Sequence, residues 1–481
     1  MNRVNEVSAG AQIAAVDFAT SKLSEREGGL HSNLSPRQVA MIGLGSTIGT
    51  GLFLGSAVSV RLAGPAVVLS FAGGALIALT VMWALAEMSA AHPAPGSFGL
   101  YAEMYLHAWA GFAVRYTYLL TLMIIIGSEV VAAAIYCKLW FPNIPSWMWI
   151  AGFSTVVLYV NTIDVKNFGI FEYWFAMVKV VTIMVFLVLG TALLCGIGFP
   201  RLGVENYTAY GGAFPHGWGG VGLGVVMAVF SFQGLEIMAS TAGETANARV
   251  VVPRALRRTL LTLAVFYLAS LALVVGLVPW PQIGLGESPF VRVFQTARIP
   301  AATHVMNFVV LTAALSSAMC NQYFTARMLF SLARGGYAPA FLGKLSKSGV
   351  PVVSVLASGL GLVAALLVSH FFEESAFVFM VGVAFFGGPF AWLMTLLTHL
   401  AFRRSARRTG MPFVRFAPPG PWSSLFGFIA LAGVLLATWW VPGFRITLRA
   451  GPVWLAFLTV CYFVWISLHS RTTRSRVHLD G

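Results

Sequence analysis

Ser46-Thr47-Ile48-Gly49-Thr50-Gly51-Leu52-Phe53 lies in the middle of the chain's first long apolar run, residues 39–60. Two glycines flanking a threonine weaken a helix interior. Broken backbone inside a bilayer is tolerated only where protein or water satisfies it. Two half-helices meeting at such a break present free N–H groups from one and free carbonyls from the other, a pair that suits a zwitterion. Close helix packing through small residues accounts for the same glycines. This segment alone leaves both readings open.

The surrounding composition sets the class. Of 481 residues 58% are hydrophobic and 10% charged, and mean hydropathy is +0.82, which no soluble domain reaches. The apolar blocks predict about twelve membrane helices, at 39–61, 65–87, 108–138, 145–161, 172–196, 219–243, 256–279, 302–331, 352–371, 375–401, 422–441 and 447–469. The joints are too short for a folded soluble domain. Residues 1–37 are polar and read as a disordered cytoplasmic tail without a cleavable signal. Residues 38–401 read as a ten-helix core, 402–470 as helices 11 and 12, and 471–481 as a cytoplasmic C-tail.

The formal charge of +14 follows topology, not nucleic acid. With the N-terminus inside, the cytoplasmic segments carry 21 of the 30 Lys/Arg, which places both termini in the cytoplasm. Arg403-Arg404 with Arg407-Arg408 then reads as a cytoplasmic anchor touching anionic lipid. Cys137, Cys195, Cys320 and Cys461 have no paired spacing, so neither a disulfide framework nor a metal site is expected. No GxxxxGK[ST] stretch occurs, which argues against ATP as the energy source. The nine histidines are scattered and read as interfacial or satisfied. No cofactor is expected.

A second interruption lies in the sixth span, Phe230-Ser231-Phe232-Gln233-Gly234-Leu235-Glu236. Breaks in the first and sixth spans suggest two five-helix repeats of opposite topology, with a transport site between them.

Beyond these breaks the chain carries Ile48-Gly49-Thr50-Gly51-Leu52-Phe53-Leu54-Gly55-Ser56, then Ala63-Gly64-Pro65. Glu87-Met88, Pro95-Gly96-Ser97-Phe98 and Phe168-Gly169 with Glu172-Tyr173-Trp174-Phe175 follow. Leu311-Thr312-Ala313-Ala314-Leu315-Ser316, Arg327-Met328-Leu329 and Gly349-Val350-Pro351 complete the set. In order and spacing, over residues 36 to 405, this resembles the amino acid transporter family of the amino acid–polyamine–organocation superfamily. The resemblance implies an all-α membrane fold: a LeuT-type five-plus-five inverted repeat with helices 1 and 6 broken, plus two C-terminal helices. It also implies amino acid import, commonly with protons.

Carried over by position, the resemblance puts a substrate carboxylate at the Thr50 hydroxyl and the N–H groups of Thr50, Gly51 and Leu52, beside Gly49. The substrate ammonium would meet carbonyls of Thr47, Phe230 and Gln233. The Phe230 ring would act as a gate, while Phe232 reads as ordinary packing. In relatives a lysine at the position of Lys179 fills the space that sodium takes in sodium-coupled members. Its expected neighbours are carbonyls before the first break and Ser316 or Ser317. A membrane-embedded ammonium must find partners, snorkel or lose its proton, so Lys179 is a proton-coupling candidate, with a structural pin as the alternative. Glu129 is expected to share in coupling. Glu236 is expected to hold the sixth-span break open. Glu87, Glu172 and Glu244 read as loop or cap partners.

The chain departs from the family pattern at Arg115-Tyr116-Thr117-Tyr118-Leu119, Met319-Cys320, Gly45-Ser46 and Asn247-Ala248. Arg115 is expected to snorkel to the cytoplasmic surface, or else to pair with an acid and gate the inner path. The side-chain pocket is expected from Leu119 to Met123, Gln233, Met319 and residues near Phe385-Phe386. That wall favours a neutral apolar or aromatic L-amino acid. A cationic or GABA-type substrate, an exchanger and an amino acid sensor are the alternatives, and an enzyme is excluded for want of a nucleophile–base constellation.

Overall fold

The computed structural model describes residues 36–93, 97–163, 168–197, 204–240, 245, 247–373, 375–411 and 413–477. Residues 1–35 of the N-tail and Glu244 lie outside them, as do the last residues of the C-tail. The described residues are almost wholly helical. Ten helical segments among them are long and apolar enough to cross a membrane. The first of these, Val39–Ala91, covers the first two expected spans. It turns at Gly64, where φ is 61°. Trp422–Ala437, at the eleventh expected position, is a shorter apolar helix.

In chain order, α1 is Pro36–Thr47, α2 Ser56–Ala63, α3 Val67–Ala91, α4 Ser97–Tyr105 and α5 Ala108–Cys137. Next come α6 Ser146–Ile163, α7 Phe168–Cys195, α8 Gly217–Phe232, α9 Ile237–Ser240 and α10 Ala248–Leu277. The second half holds α11 Pro289–Thr296, α12 Pro300–Arg334, α13 Val352–Ser358, α14 Leu360–Phe371 and α15 Ala376–Ala384. It closes with α16 Gly387–Thr409, α17 Trp422–Ala437 and α18 Arg445–Val477.

Two packed groups enclose the interior. In one, α3 runs along α8 and α10; in the other, α5 runs along α12 and α14. α1 lies between them, against α7, α10 and α12. The buried faces form one large apolar cluster that includes Phe53, Phe71, Phe232, Tyr267 and Trp392. Side chains such as Val188 and Val265 stay exposed on the outer faces, as a lipid-facing surface requires.

The α5–α14 contact is close enough to exclude a side chain. A Cβ at Gly361 would run into the Met123 carbonyl oxygen. Gly361→Ala is expected to push the two helices apart at a cost of about 1–3 kcal/mol. A lowered midpoint of thermal unfolding in detergent would report it; an unchanged midpoint would mean the contact relaxes freely.

At the C-terminal end of α3, Glu87 is fully buried. It accepts hydrogen bonds from Arg403 Nε (2.9 Å) and Nη2 (2.6 Å) and from the Phe416 and Ala417 N–H groups (both 2.9 Å). His399 Nε2 lies 2.8 Å from the same carboxylate, and its Nδ1 lies 2.8 Å from Ser424 Oγ. Glu87 thus holds a loop, as expected, while His399 is a satisfied histidine. Arg403 corrects the sequence reading. It turns inward and also donates to carbonyls of Pro418 and Gly420, leaving Arg404, Arg407 and Arg408 exposed. A carboxylate with no other cation binds an arginine more strongly than a hydrated lipid surface can.

Candidate substrate site at two broken helices

The first break begins where helical hydrogen bonding stops. Ile48 N–H still reaches Leu44 O at 2.8 Å, but Gly49 N–H turns to Thr47 O at 3.0 Å. Thr50 N–H leaves the helix to donate to Glu129 Oε2 at 3.3 Å. The chain then resumes as a wide π turn, Gly51–Gly55, that leads into α2. Released from Gly49, the Gly45 carbonyl accepts from Lys179 Nζ at 2.8 Å.

The second break is built from a glycine and a carboxylate. Gly234 takes φ 101°, a left-handed value that side-chain-bearing residues rarely adopt. Its N–H donates to Glu236 Oε2 at 3.0 Å, and Tyr118 Oη donates to Glu236 Oε1 at 2.7 Å. Glu236 therefore sits where it braces the unwound backbone.

The breaks touch each other. Ser46 Oγ donates to Gly234 O at 3.2 Å. The Tyr267 hydroxyl on α10 lies 3.2 Å from Thr47 O and 3.1 Å from Ser231 O. Gly51 faces the Ser231 backbone, with space for a Cβ only 3.0 Å from its Cα.

Between them is a small cavity of about 30 Å³. Thr47, Gly49 and Gly51 line it from the first break, and Phe230, Gln233 and Gly234 from the second. α5 contributes Tyr118, Leu122, Ile125 and Glu129, and α12 contributes Asn321. The Thr50 hydroxyl and both polar atoms of the Gln233 amide are buried with no hydrogen-bond partner. Unpaired buried polar groups are costly; the Gln233 amide lines the cavity, whereas Thr50 is not among its lining residues. Phe230 covers the Gly51 side, whereas Phe232 packs on Tyr267 at 5.0 Å between ring centroids.

Glu129 lines the cavity, and two further titratable side chains, Glu172 and Lys179, are buried nearby without reaching it. Glu129 Oε1 accepts from Ser317 Oγ at 2.9 Å. Glu172 Oε2 accepts from Ser316 Oγ at 3.1 Å, and its Oε1 lies against Gly45 without a hydrogen bond. Lys179 is 1% exposed. The first-break carbonyl expected beside Lys179 is there, but Ser316 and Ser317 donate to the two carboxylates. Glu172 is buried beside Lys179's acceptor and is neither a loop nor a cap partner, which corrects that expectation. Its place as the first residue of the expected span 172–196 hid this in the sequence, whereas the helix itself starts a turn earlier at Phe168.

Four other expectations shift. Met123 does not line the cavity; it packs with Leu119, Leu329 and Leu332. Met319 packs against the core without reaching the cavity either. The lining face of α5 runs 118–122–125–129, so 119 and 123 project from the neighbouring face. On α12 the inward turn is Ser317–Asn321, and Met319 is half a turn away. Phe385 packs edge-on to Phe444, and Phe386 stacks on Phe390; Gln233 instead lies over Gly388. Arg115 does not snorkel. It pairs with Glu103 Oε2 at 2.7 Å and is 8% exposed, and Tyr337 Oη donates to the same carboxylate at 3.3 Å.

Sequence reasoning placed Leu122 in the pocket within the run Leu119 to Met123, missed Ile125 and Asn321, and did not assign Tyr118 to it. Counting helical turns outward from Glu129 finds all three α5 residues. Nothing in the sequence singled out Asn321.

Paired broken helices around a small interior cavity, within an all-helical membrane domain, are the arrangement of a multi-pass membrane transporter. The amino acid permease family matches residues 38–479, and the chain belongs to that family. It is 36% identical to the gamma-aminobutyric acid permease of Bacillus subtilis (strain 168) over 446 residues, 92% of this chain and 95% of that one. It is 36% identical to the aromatic amino acid transport protein AroP of Escherichia coli (strain K12) over 438 residues, 90% and 95% of the two chains. The uncharacterized amino acid permease YtnA of Bacillus subtilis (strain 168) is 35% identical over the same coverage.

Proposed function

We propose that this permease imports a neutral L-amino acid, apolar or aromatic, together with a proton, by alternating access across the bacterial inner membrane with both termini cytoplasmic. The observation that carries the reading is the Thr50 N–H directed at Glu129 across the first break. A substrate carboxylate on the N–H groups of Thr50, Gly51 and Leu52 and the Thr50 hydroxyl competes with Glu129 for that donor. A proton on Glu129 weakens its hold and favours the substrate, so the two ligands bind in support of each other. The substrate ammonium meets the carbonyls of Thr47, Phe230 and Gln233 at the unwound ends. Its side chain points to Tyr118, Leu122 and Ile125, with Gln233 and Asn321 as polar contacts, and Phe230 closes over it. Lys179 is the second proton site.

A cationic or GABA-type substrate is the second reading, favoured by the Glu129 carboxylate in the cavity wall.

The test is uptake of labelled amino acids into sodium-free proteoliposomes, with and without an inward proton gradient. The panel includes lysine, arginine and GABA. Gradient-driven accumulation of a neutral class supports the first reading, and of lysine, arginine or GABA the second. Uptake only against preloaded amino acid makes the protein an exchanger and removes the proton role. Binding without uptake makes it a sensor.

A further inference from the structure

The cytoplasmic start of α10 carries Arg249, Arg254, Arg257 and Arg258 and no acidic residue anywhere along the helix. All four arginines are exposed. Arg254, Arg257 and Arg258 fall on one 100°-wide stripe with Val250, Leu261 and Val265. Those apolar neighbours are 45%, 50% and 61% exposed. The stripe therefore changes character along its length. Its first two turns are cationic, and from about 4.5 Å beyond Arg258 it is bare hydrocarbon. None of the three arginines forms an ion pair among the described residues.

The opposite face is engaged. Val252, Leu256, Leu260, Leu263 and Tyr267 are buried, and Tyr267 is the residue whose hydroxyl spans the two breaks.

We propose that this stripe is a binding site for an anionic phospholipid of the inner leaflet. Its phosphate sits among Arg254, Arg257 and Arg258, and an acyl chain lies along Leu261 and Val265. Only a lipid supplies both a phosphate and a hydrocarbon chain in the order that the stripe presents them. Guanidinium groups match phosphate with paired N–H donors. The N-terminus of a 30-residue helix adds favourable field for an anion. Because the same helix braces both breaks, the bound lipid stabilises the arrangement around the cavity.

Native mass spectrometry of the purified full chain tests this, in detergent supplemented with phosphatidylglycerol or phosphatidylcholine. The wild type is expected to retain phosphatidylglycerol preferentially. Arg254→Gln/Arg257→Gln/Arg258→Gln is expected to lose retention, roughly five-fold per arginine removed. A charge-matched control, Lys344→Gln/Lys347→Gln/Arg415→Gln, is expected to keep it. Phosphatidylglycerol should also raise the wild-type melting midpoint, and inorganic phosphate should not. Equal retention by the triple variant, or equal loss by the control, overturns the site; so does a midpoint that responds equally to inorganic phosphate. The single variant Arg257→Gln decides the matter where the triple variant does not fold. No readout involves transport, so the result is independent of the proposed function.

Discussion

Arg403→Ala is expected to destabilise the protein by about 3–5 kcal/mol, the cost of leaving a buried charge without its partner. Glu87 is wholly buried and receives two hydrogen bonds from Arg403. Without them its carboxylate keeps only His399 and two backbone N–H groups. The carbonyls of Pro418 and Gly420 lose their donor as well. The damage reaches three elements, because the cluster joins the end of α3 to α16 and to the loop before α17. Arg403→Lys should rescue little, since an ammonium cannot span the carboxylate and the loop carbonyls with a planar fork. Arg404→Ala, one residue on and exposed, is the control and should be near neutral. Thermal unfolding in detergent separates these outcomes. A midpoint for Arg403→Ala equal to that of Arg404→Ala would show that the cluster carries no stability.

The broken first and sixth helices were legible because glycine and polar residues are conspicuous in hydrocarbon. Lys179, Glu129 and Glu236 stood out for the same reason, since each bears a charge where burial is expensive. Direction was harder to read. The sequence reading takes the whole run Leu119 to Met123 as pocket wall, yet each residue on a helix is a 100° rotation, and only Leu122 of that run lines the cavity. Arg403 read as a lipid anchor because it belongs to a run of four arginines. Its partner, Glu87, is 316 residues away in the chain. Glu172 read as a loop partner by its distance from the span start, a measure that says nothing about which neighbouring helix it faces. Asn321 left no signal at all: an asparagine within an otherwise ordinary helix acquires meaning only when the first break is packed against it.

Lys179→Met is expected to abolish proton-driven accumulation while leaving the protein folded. The ammonium fills the acceptor that the first break creates, the Gly45 carbonyl at 2.8 Å. Glu172 and Glu129 are both near enough to act on it electrostatically. A methionine preserves the volume of the stem and removes both the charge and the donor. The first half-helix then loses its hydrogen bond to α7, and the two carboxylates lose the cation that acts on both. If Lys179 carries the proton, the variant equilibrates labelled substrate but does not concentrate it under an inward proton gradient. If Lys179 is only a pin, the variant loses stability and substrate affinity, yet the ratio of gradient-driven to equilibrium uptake stays that of the wild type. Lys179→Arg discriminates further. Guanidinium remains charged at all accessible pH, so a pin is retained and a proton carrier is lost. Accumulation by Lys179→Arg at the wild-type level would therefore rule out the carrier role, and the proton site would pass to Glu129.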